Sequence, residues 1–330
     1  MRARLHHVVP PVFVLVACAA STVGSIAGAS ADTGGATSSN YSQSSFVLPF
    51  TGGNGNPELQ GHMVVDAATG DVFVSGGQTT SFVEVLNSAG QPVGQIPNQS
   101  GAMGLALSAD GSTLYVAGYS SDSIAVIDTA TLTQTASYAT TGLSPVSLAL
   151  AGGNLWFTDE NDFVIHEVDL STGTVSASSA STSYYGSMLT ASPSAPNTLV
   201  SGTPGLSPAT VYVFNISSGA PVETAGGWLG NIEPGGCSNL GGMSITPDGQ
   251  SLILACGAPY FGIEASLSTM AVEQTYTTGP YPAAVATSAD GKVLIGVDDG
   301  DPAFDEFNAG NATPIAGLGG QVGPQIQGVA

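Results

Sequence analysis

Apolar and polar positions along this chain alternate in short runs, and one unit of them keeps returning. It consists of an apolar run, a tight turn of the Asp-Gly kind, a second apolar run, a loop, and two more alternating runs. Its clearest copy is Leu105-Ala-Leu-Ser-Ala-Asp110-Gly111-Ser-Thr-Leu-Tyr115-Val-Ala, continued by Ser123-Ile-Ala-Val-Ile-Asp128-Thr-Ala-Thr. Related turns stand at Ala68-Thr-Gly70-Asp71, Ala151-Gly152-Gly153-Asn154, Pro247-Asp248-Gly249 and Ala289-Asp290-Gly291, with a worn copy at Ser194-Ala-Pro196-Asn197. Asp-Gly between apolar runs predicts a hairpin, because the turn needs positive φ. Val, Ile, Thr and Tyr fill the runs, as pleated, half-buried surfaces prefer. Segments such as Thr210-Val-Tyr-Val-Phe214 and Val164-Ile-His-Glu-Val168 have strand spacing, and beyond the first residues no segment keeps a helical apolar period.

The period sets the architecture. Turn glycines at 70, 111 and 152 stand 41 residues apart, and those at 249 and 291 stand 42 apart. The 97 residues from 152 to 249 hold two repeats and an insertion, placed at Gly226 to Asn239. Four short strands in such a period make one propeller blade. The chain therefore reads as all-β, a β-propeller of about seven blades of four antiparallel strands. Six full repeats begin near residues 61, 102, 145, 186, 241 and 283. A seventh is incomplete: Gln327-Gly328-Val329-Ala330 aligns with Ala283-Ala284-Val285-Ala286 as an innermost strand, and Ser45-Phe46-Val47-Leu48-Pro49-Phe50 has the pattern of an outermost one. Terminal strands that share a blade remove exposed edges. Two readings follow, a fragment of a longer product or an irregular ring of six to seven blades, and the missing middle strands favour the fragment.

The strand pair Leu114-Tyr115-Val116-Ala117 and Ser123-Ile-Ala-Val-Ile-Asp-Thr-Ala-Thr131 resembles the YVTN β-propeller repeat. Pro282-Ala-Ala-Val-Ala-Thr-Ser-Ala-Asp290-Gly291 resembles the start of another, and the likeness extends in varying quality over residues 59–330. In one blade, Leu155-Trp156-Phe157-Thr158-Asp159 resembles repeats of the streptogramin-lyase propellers. The YVTN resemblance implies surface or envelope roles with no defined ligand. It also permits an enzyme of lactonase or lyase type with a divalent metal in the channel.

The first residues bear on compartment. Arg2 and Arg4 precede an apolar stretch from Val8 through Ala20, and Ala29-Ser30-Ala31 closes it. This order predicts a signal peptide over 1–31, a Gly/Ser/Thr-rich linker over 32–44 and the propeller over 45–330. Pro10 and Pro11 argue against a membrane span, which needs ~20 predominantly apolar residues. Leu15-Val16-Ala17-Cys18 also resembles a lipobox, so lipid anchoring through Cys18 stands beside simple export.

Charge narrows the partners. Cleavage before Asp32 removes both arginines and leaves Lys292 as the one fixed cation against all 24 Asp and Glu residues. Nucleic acid, phosphorylated substrates and anionic membrane surfaces all need Lys or Arg, and are excluded on that ground. Disorder fails as an explanation of the acidity, since only 8% of residues are charged and 42% are hydrophobic. Acid or saline surroundings would each account for it.

Candidate chemistry is sparse. Cys237 and Cys256 are an even pair in an exported chain and predict a disulfide, with two buried thiols as the alternative. In the fifth repeat, strands near 241–246 and 251–256 pair across the turn at 247–250, which brings Cys256 opposite the residues just before Gly241. Two loops between second and third strands are acidic: Asp159, Glu160 and Asp162 with Asn161, and Asp298, Asp299 and Asp301 with Asp305 and Glu306. Oxygen ligands at short spacing suit Ca²⁺, although neither loop has EF-hand spacing, and solvated acidic loops would read the same. His62 and Asp66 sit on the first inner strand and are candidate ligand contacts at the channel; His166 lies beside Glu167 and Asp169. Tyr184-Tyr185 and Pro280-Tyr281-Pro282 could line a channel mouth that grips sugars or aromatic ligands, or simply pack locally. No Gly-x-Ser-x-Gly elbow or Gly-Lys-Ser/Thr phosphate loop occurs. The sequence thus predicts an extracellular binding or scaffold module for a protein, glycan or small molecule, without a catalytic constellation. A metal-dependent propeller enzyme and a structural envelope component are the alternatives.

Overall fold

The computed structural model describes residues 62–182, 184–297 and 304–318. They form six four-stranded antiparallel sheets, over residues 63–97, 102–139, 145–181, 188–228, 238–277 and 282–318, arranged in a ring as propeller blades. Within each sheet the strands pair in chain order. The inner strands Met63–Val65, Ala102–Leu107, Pro145–Ala151, Met188–Thr190, Ser238–Ile245 and Pro282–Thr287 begin close to the six predicted repeat starts. The segments predicted for a seventh blade, Ser45–Phe50 and Gln327–Ala330, lie outside the described residues, as do the leader, the linker and Cys18. Among the described residues no helix is long and apolar enough to cross a membrane.

The repeated turn works because its polar groups satisfy one another. Ser108 Oγ donates to Asp110 Oδ1 at 2.7 Å, and the same carboxylate accepts the Ser112 amide at 3.1 Å. Thr246, Asp248 and Gln250 repeat the arrangement at 2.7 and 3.1 Å. Gly111 in this turn has φ of 74°, and a Cβ there would lie 2.6 Å from Asp66 Oδ1 in the turn of the preceding blade. Glycine is therefore required twice over, by backbone conformation and by close approach.

The core lies between blades. The second strand of each blade is rich in apolar residues and buried along almost its whole length, because both of its faces are covered. In the second blade Leu114 and Val116 meet Phe73, Val83, Val85 and Ile96 of the first, while Tyr115 and Ala117 face Leu148, Leu155 and Phe157 of the third. Extensive contacts join each blade to the next, from the first to the sixth; among the described residues none of comparable extent joins the sixth back to the first. Yet Val72, Val74 and Leu86, on the side of the first blade turned away from the second, are buried, and so are Leu294 and Phe304 on the outward side of the sixth.

The cysteines form the predicted disulfide, with Cα atoms 5.1 Å apart. Cys256 lies opposite Leu240 in the fifth sheet. The predicted insertion consists of the end of the outer strand Val222–Trp228, a 3₁₀ turn Leu229–Asn231, and a return leading into Ser238–Ile245.

Candidate functional site: the aromatic end of the ring

Strand order gives the ring two chemically different ends. One carries the turns between first and second and between third and fourth strands. These turns are built from short polar residues that bond to themselves: Asp128 accepts the Thr131 amide at 2.8 Å, Asp169 the Ser171 amide at 2.8 Å, and Asn215 the Ser217 amide at 3.0 Å. The other end carries the second-to-third loops and the blade-to-blade connections. Phe163, Tyr185, Trp228, Tyr260 and Tyr281 all lie there, and they are the large aromatic side chains exposed among the described residues.

The rings fall at three consecutive blade junctions. Between blades three and four, the rings of Phe163 and Tyr185 meet at a tilt with centres 5.5 Å apart, those of Tyr184 and Tyr185 at 4.3 Å, and the phenols of Tyr184 and Tyr185 meet at 3.3 Å. The loop beneath them is held by Thr182, whose amide donates to Phe163 O at 2.6 Å and whose hydroxyl donates to Tyr184 O at 2.7 Å. Between blades four and five, Trp228 is 59% exposed and lies over Gly230, where a Cβ would sit 2.3 Å from its ring. The Leu229 carbonyl accepts the Cys237 amide at 3.0 Å, so the disulfide anchors this loop to the fifth blade. Between blades five and six, Tyr260 and Tyr281 meet edge to face at 4.8 Å. Both have φ in the left-handed region, 79° and 53°, which is costly for a bulky residue, and both rings are exposed.

A carboxylate accompanies two of the three junctions. Glu160 approaches Gly186 so closely that a Cβ there would lie 2.8 Å from its Oε2. Burial raises its carboxyl above the usual range, and the neighbouring Asp159 adds to the shift. Asp305 Oδ2 lies 3.4 Å from the Gly279 amide, next to the Tyr281 loop, and burial raises its carboxyl too.

The candidate metal ligands of the third blade are drawn into local bonds. Asp159 is fully buried; one carboxylate oxygen accepts the Ser144 amide and the other the Asn161 amide at 2.7 Å. Asp162 accepts the Val164 amide at 2.9 Å and meets His166 Nε2 at 3.0 Å. His166 is buried and stacked on Phe157, with ring centres 4.9 Å apart. Asp298, Asp299 and Asp301 lie outside the described residues. Among the described residues no three His, Cys, Asp or Glu side chains converge as metal ligands.

His62 and Asp66 stand at opposite ends of the strand Met63–Val65, so the fold does not bring them together. His62 is at the aromatic end, where burial depresses its ring against an opposing bond to the Leu105 backbone, and its Nδ1 has no hydrogen-bond partner among the described residues. Asp66 closes the first turn, accepting the Ala68 amide at 2.9 Å and the Thr69 hydroxyl at 2.8 Å. Sequence reasoning picked out Tyr184, Tyr185 and Tyr281 but passed over Phe163, Trp228 and Tyr260. An available signal was an aromatic residue next to a predicted second-to-third loop or connection, because strand parity sends all such loops to one end.

No protein-family model matches the chain, and no curated protein does. Among solved structures it is similar to the hydrazine synthase of Kuenenia stuttgartiensis, with 15% identity, a TM-score of 0.51, and coverage of 76% of this chain and 96% of that one. It is also similar to the computationally designed Ika8 protein, with 16% identity, a TM-score of 0.57, and coverage of 80% and 75%. At such identities the likeness shows the shared fold alone.

Proposed function

We propose that this protein is an exported, non-enzymatic binding module of the YVTN-propeller kind, which holds its partner on the aromatic end of the ring. The observation that carries this reading is the asymmetry of the two ends. Exposed aromatic side chains collect at three neighbouring junctions of one end, whereas the turns of the other end satisfy their own polar groups. Exposed apolar patches of this kind mark interaction sites, and aromatic residues dominate interface energetics. Export is supported by the leader pattern and agrees with the disulfide.

The test uses mature protein, residues 32–330, labelled and bound to intact cells and isolated envelopes of the producing organism. Tyr185→Ala, Trp228→Ala and Tyr281→Ala each lose roughly 1–2 kcal/mol of binding, while Thr131→Ala at the opposite end changes nothing measurable. Equal binding by the combined aromatic variant and the wild-type protein would refute the assignment of this end.

A further inference from the structure

We infer that the ligand of the aromatic end is a neutral polysaccharide whose sugar units lie across the three aromatic junctions. This rests on the binding-end reading above and goes further, to the chemistry of the ligand.

The kinds of side chain present argue for it. No leucine, isoleucine or methionine is exposed among the described residues; the large apolar side chains exposed at this end are aromatic. Protein-protein anchors usually mix aromatics with Met and Arg, and after the predicted cleavage no arginine remains in the chain. Pyranose rings present patches of C–H bonds that stack on aromatic faces, and a surrounding belt of hydroxyls. The phenols of Tyr184, Tyr185, Tyr260 and Tyr281 and the Trp228 indole offer the stacking surface and a hydrogen-bonding group in one side chain.

Carboxylates stand where such hydroxyls would need acceptors. Glu160 lies beside Gly186 and the Tyr184–Tyr185 pair, and Asp305 beside Gly279 and the Tyr281 loop. Charge then removes acidic glycans: one lysine against 24 carboxylates would repel a uronate or sulfated chain. The number of junctions favours a polymer over a single sugar. The three junctions are consecutive around the ring, and one chain that engages all three gains from effective concentration, although each contact alone is weak. The disulfide fits this role, because it fixes the loop that carries the middle ring.

The experiment is native electrophoresis of the mature protein through gels containing soluble neutral polysaccharides: a mixed-linkage β-glucan, a galactomannan, an arabinoxylan and starch. Polygalacturonate and chitosan serve as the acidic and basic controls. Trp228 supplies an independent readout. The other tryptophan, Trp156, is buried, so acrylamide quenching reports on Trp228, and a bound glycan shields it. The expected result is retardation and shielding by at least one neutral polymer. Each of Tyr185→Ala, Trp228→Ala and Tyr281→Ala weakens retardation about ten-fold, the triple variant is not retarded, and Trp228→Phe keeps most of it. All four are surface changes, and an unchanged melting curve confirms folding. Retardation by chitosan or polygalacturonate alone overturns the neutral-glycan assignment. So does the absence of any retardation, if the triple variant still loses binding to cells; the aromatic end would then stand with a protein partner. If the triple variant also binds cells like wild type, both readings fall.

Discussion

Asp110 illustrates how much of this molecule is held by single turn residues. Its carboxyl is pushed down to about 2 by the Ser108 hydroxyl, then by the amide and hydroxyl of Ser112. Asp128, Asp169 and Asp248 are lowered by Thr131, Ser171 and Thr246 respectively. A group whose folded-state pKa is depressed adds stability above its unfolded value, and that stability is lost as pH falls through the folded one. Glu84, Glu160 and Asp305 are raised by burial and act with the opposite sign, favouring the fold as they protonate. The melting temperature should therefore fall as pH drops below the usual carboxylate range, with the contribution of Asp110 lost as pH approaches about 2. Replacing Asp110, Asp128, Asp169 and Asp248 together by Asn should flatten that fall, as calorimetry across this range would show. The buried Asp159 is a different case. Asp159→Ala leaves the Ser144 and Asn161 amides without their acceptor and should cost about 2–4 kcal/mol, read by denaturant unfolding.

At the scale of elements, turns and cross-links set how precisely the strands meet. Gly111→Ala places a methyl against the Asp66 carboxylate in a backbone region that disfavours it, and should destabilise by about 2 kcal/mol or more. The disulfide joins residues 19 apart in sequence. Replacing Cys237 and Cys256 by Ser should lower stability by about 3 kcal/mol. It should also make Trp228 more accessible to acrylamide even without ligand, since the loop that carries it loses its anchor. If quenching is unchanged, the 3₁₀ turn and its backbone bonds hold that loop without the bridge.

The whole ring raises the question of closure. Val72, Val74 and Leu86 on one side, and Leu294 and Phe304 on the other, are buried although no extensive contact joins the sixth blade to the first among the described residues. The sequence predicts a seventh blade from Ser45–Phe50 and Gln327–Ala330. If that expectation holds, deleting residues 45–50 should increase binding of a hydrophobic dye and lower the melting temperature by several degrees, and an unchanged melting curve would remove the seventh-blade reading. Calcium belongs to this scale as well, since its candidate ligands come from different blades. With Asp159 and Asp162 occupied by amides and His166, any calcium-induced rise in melting temperature should disappear in Asp298→Asn/Asp299→Asn/Asp301→Asn and survive Asp162→Asn.

What could be read from the chain alone was what repeats along it. The Asp-Gly turns and apolar doublets recur because each blade solves the same local problem of hairpin geometry and two-sided burial. Their spacing therefore located all six described blades, and register within the fifth blade placed Cys256 close enough to Cys237 to bond. Only the tertiary structure decided what depends on neighbours in space. Asp66 has the sequence position of a channel acid, yet strand length puts it in a turn, at the far end from His62. Asp159 and Asp162 are plain loop acids in the sequence, and only the folded backbone brings the Ser144, Asn161 and Val164 amides to them. Phe163, Trp228 and Tyr260 are scattered along the chain; they share one surface because antiparallel pairing returns every second connection to the same end of the ring. Periodicity is a local property and survives in the sequence, whereas convergence at a surface is created by strand pairing and the packing of blade on blade.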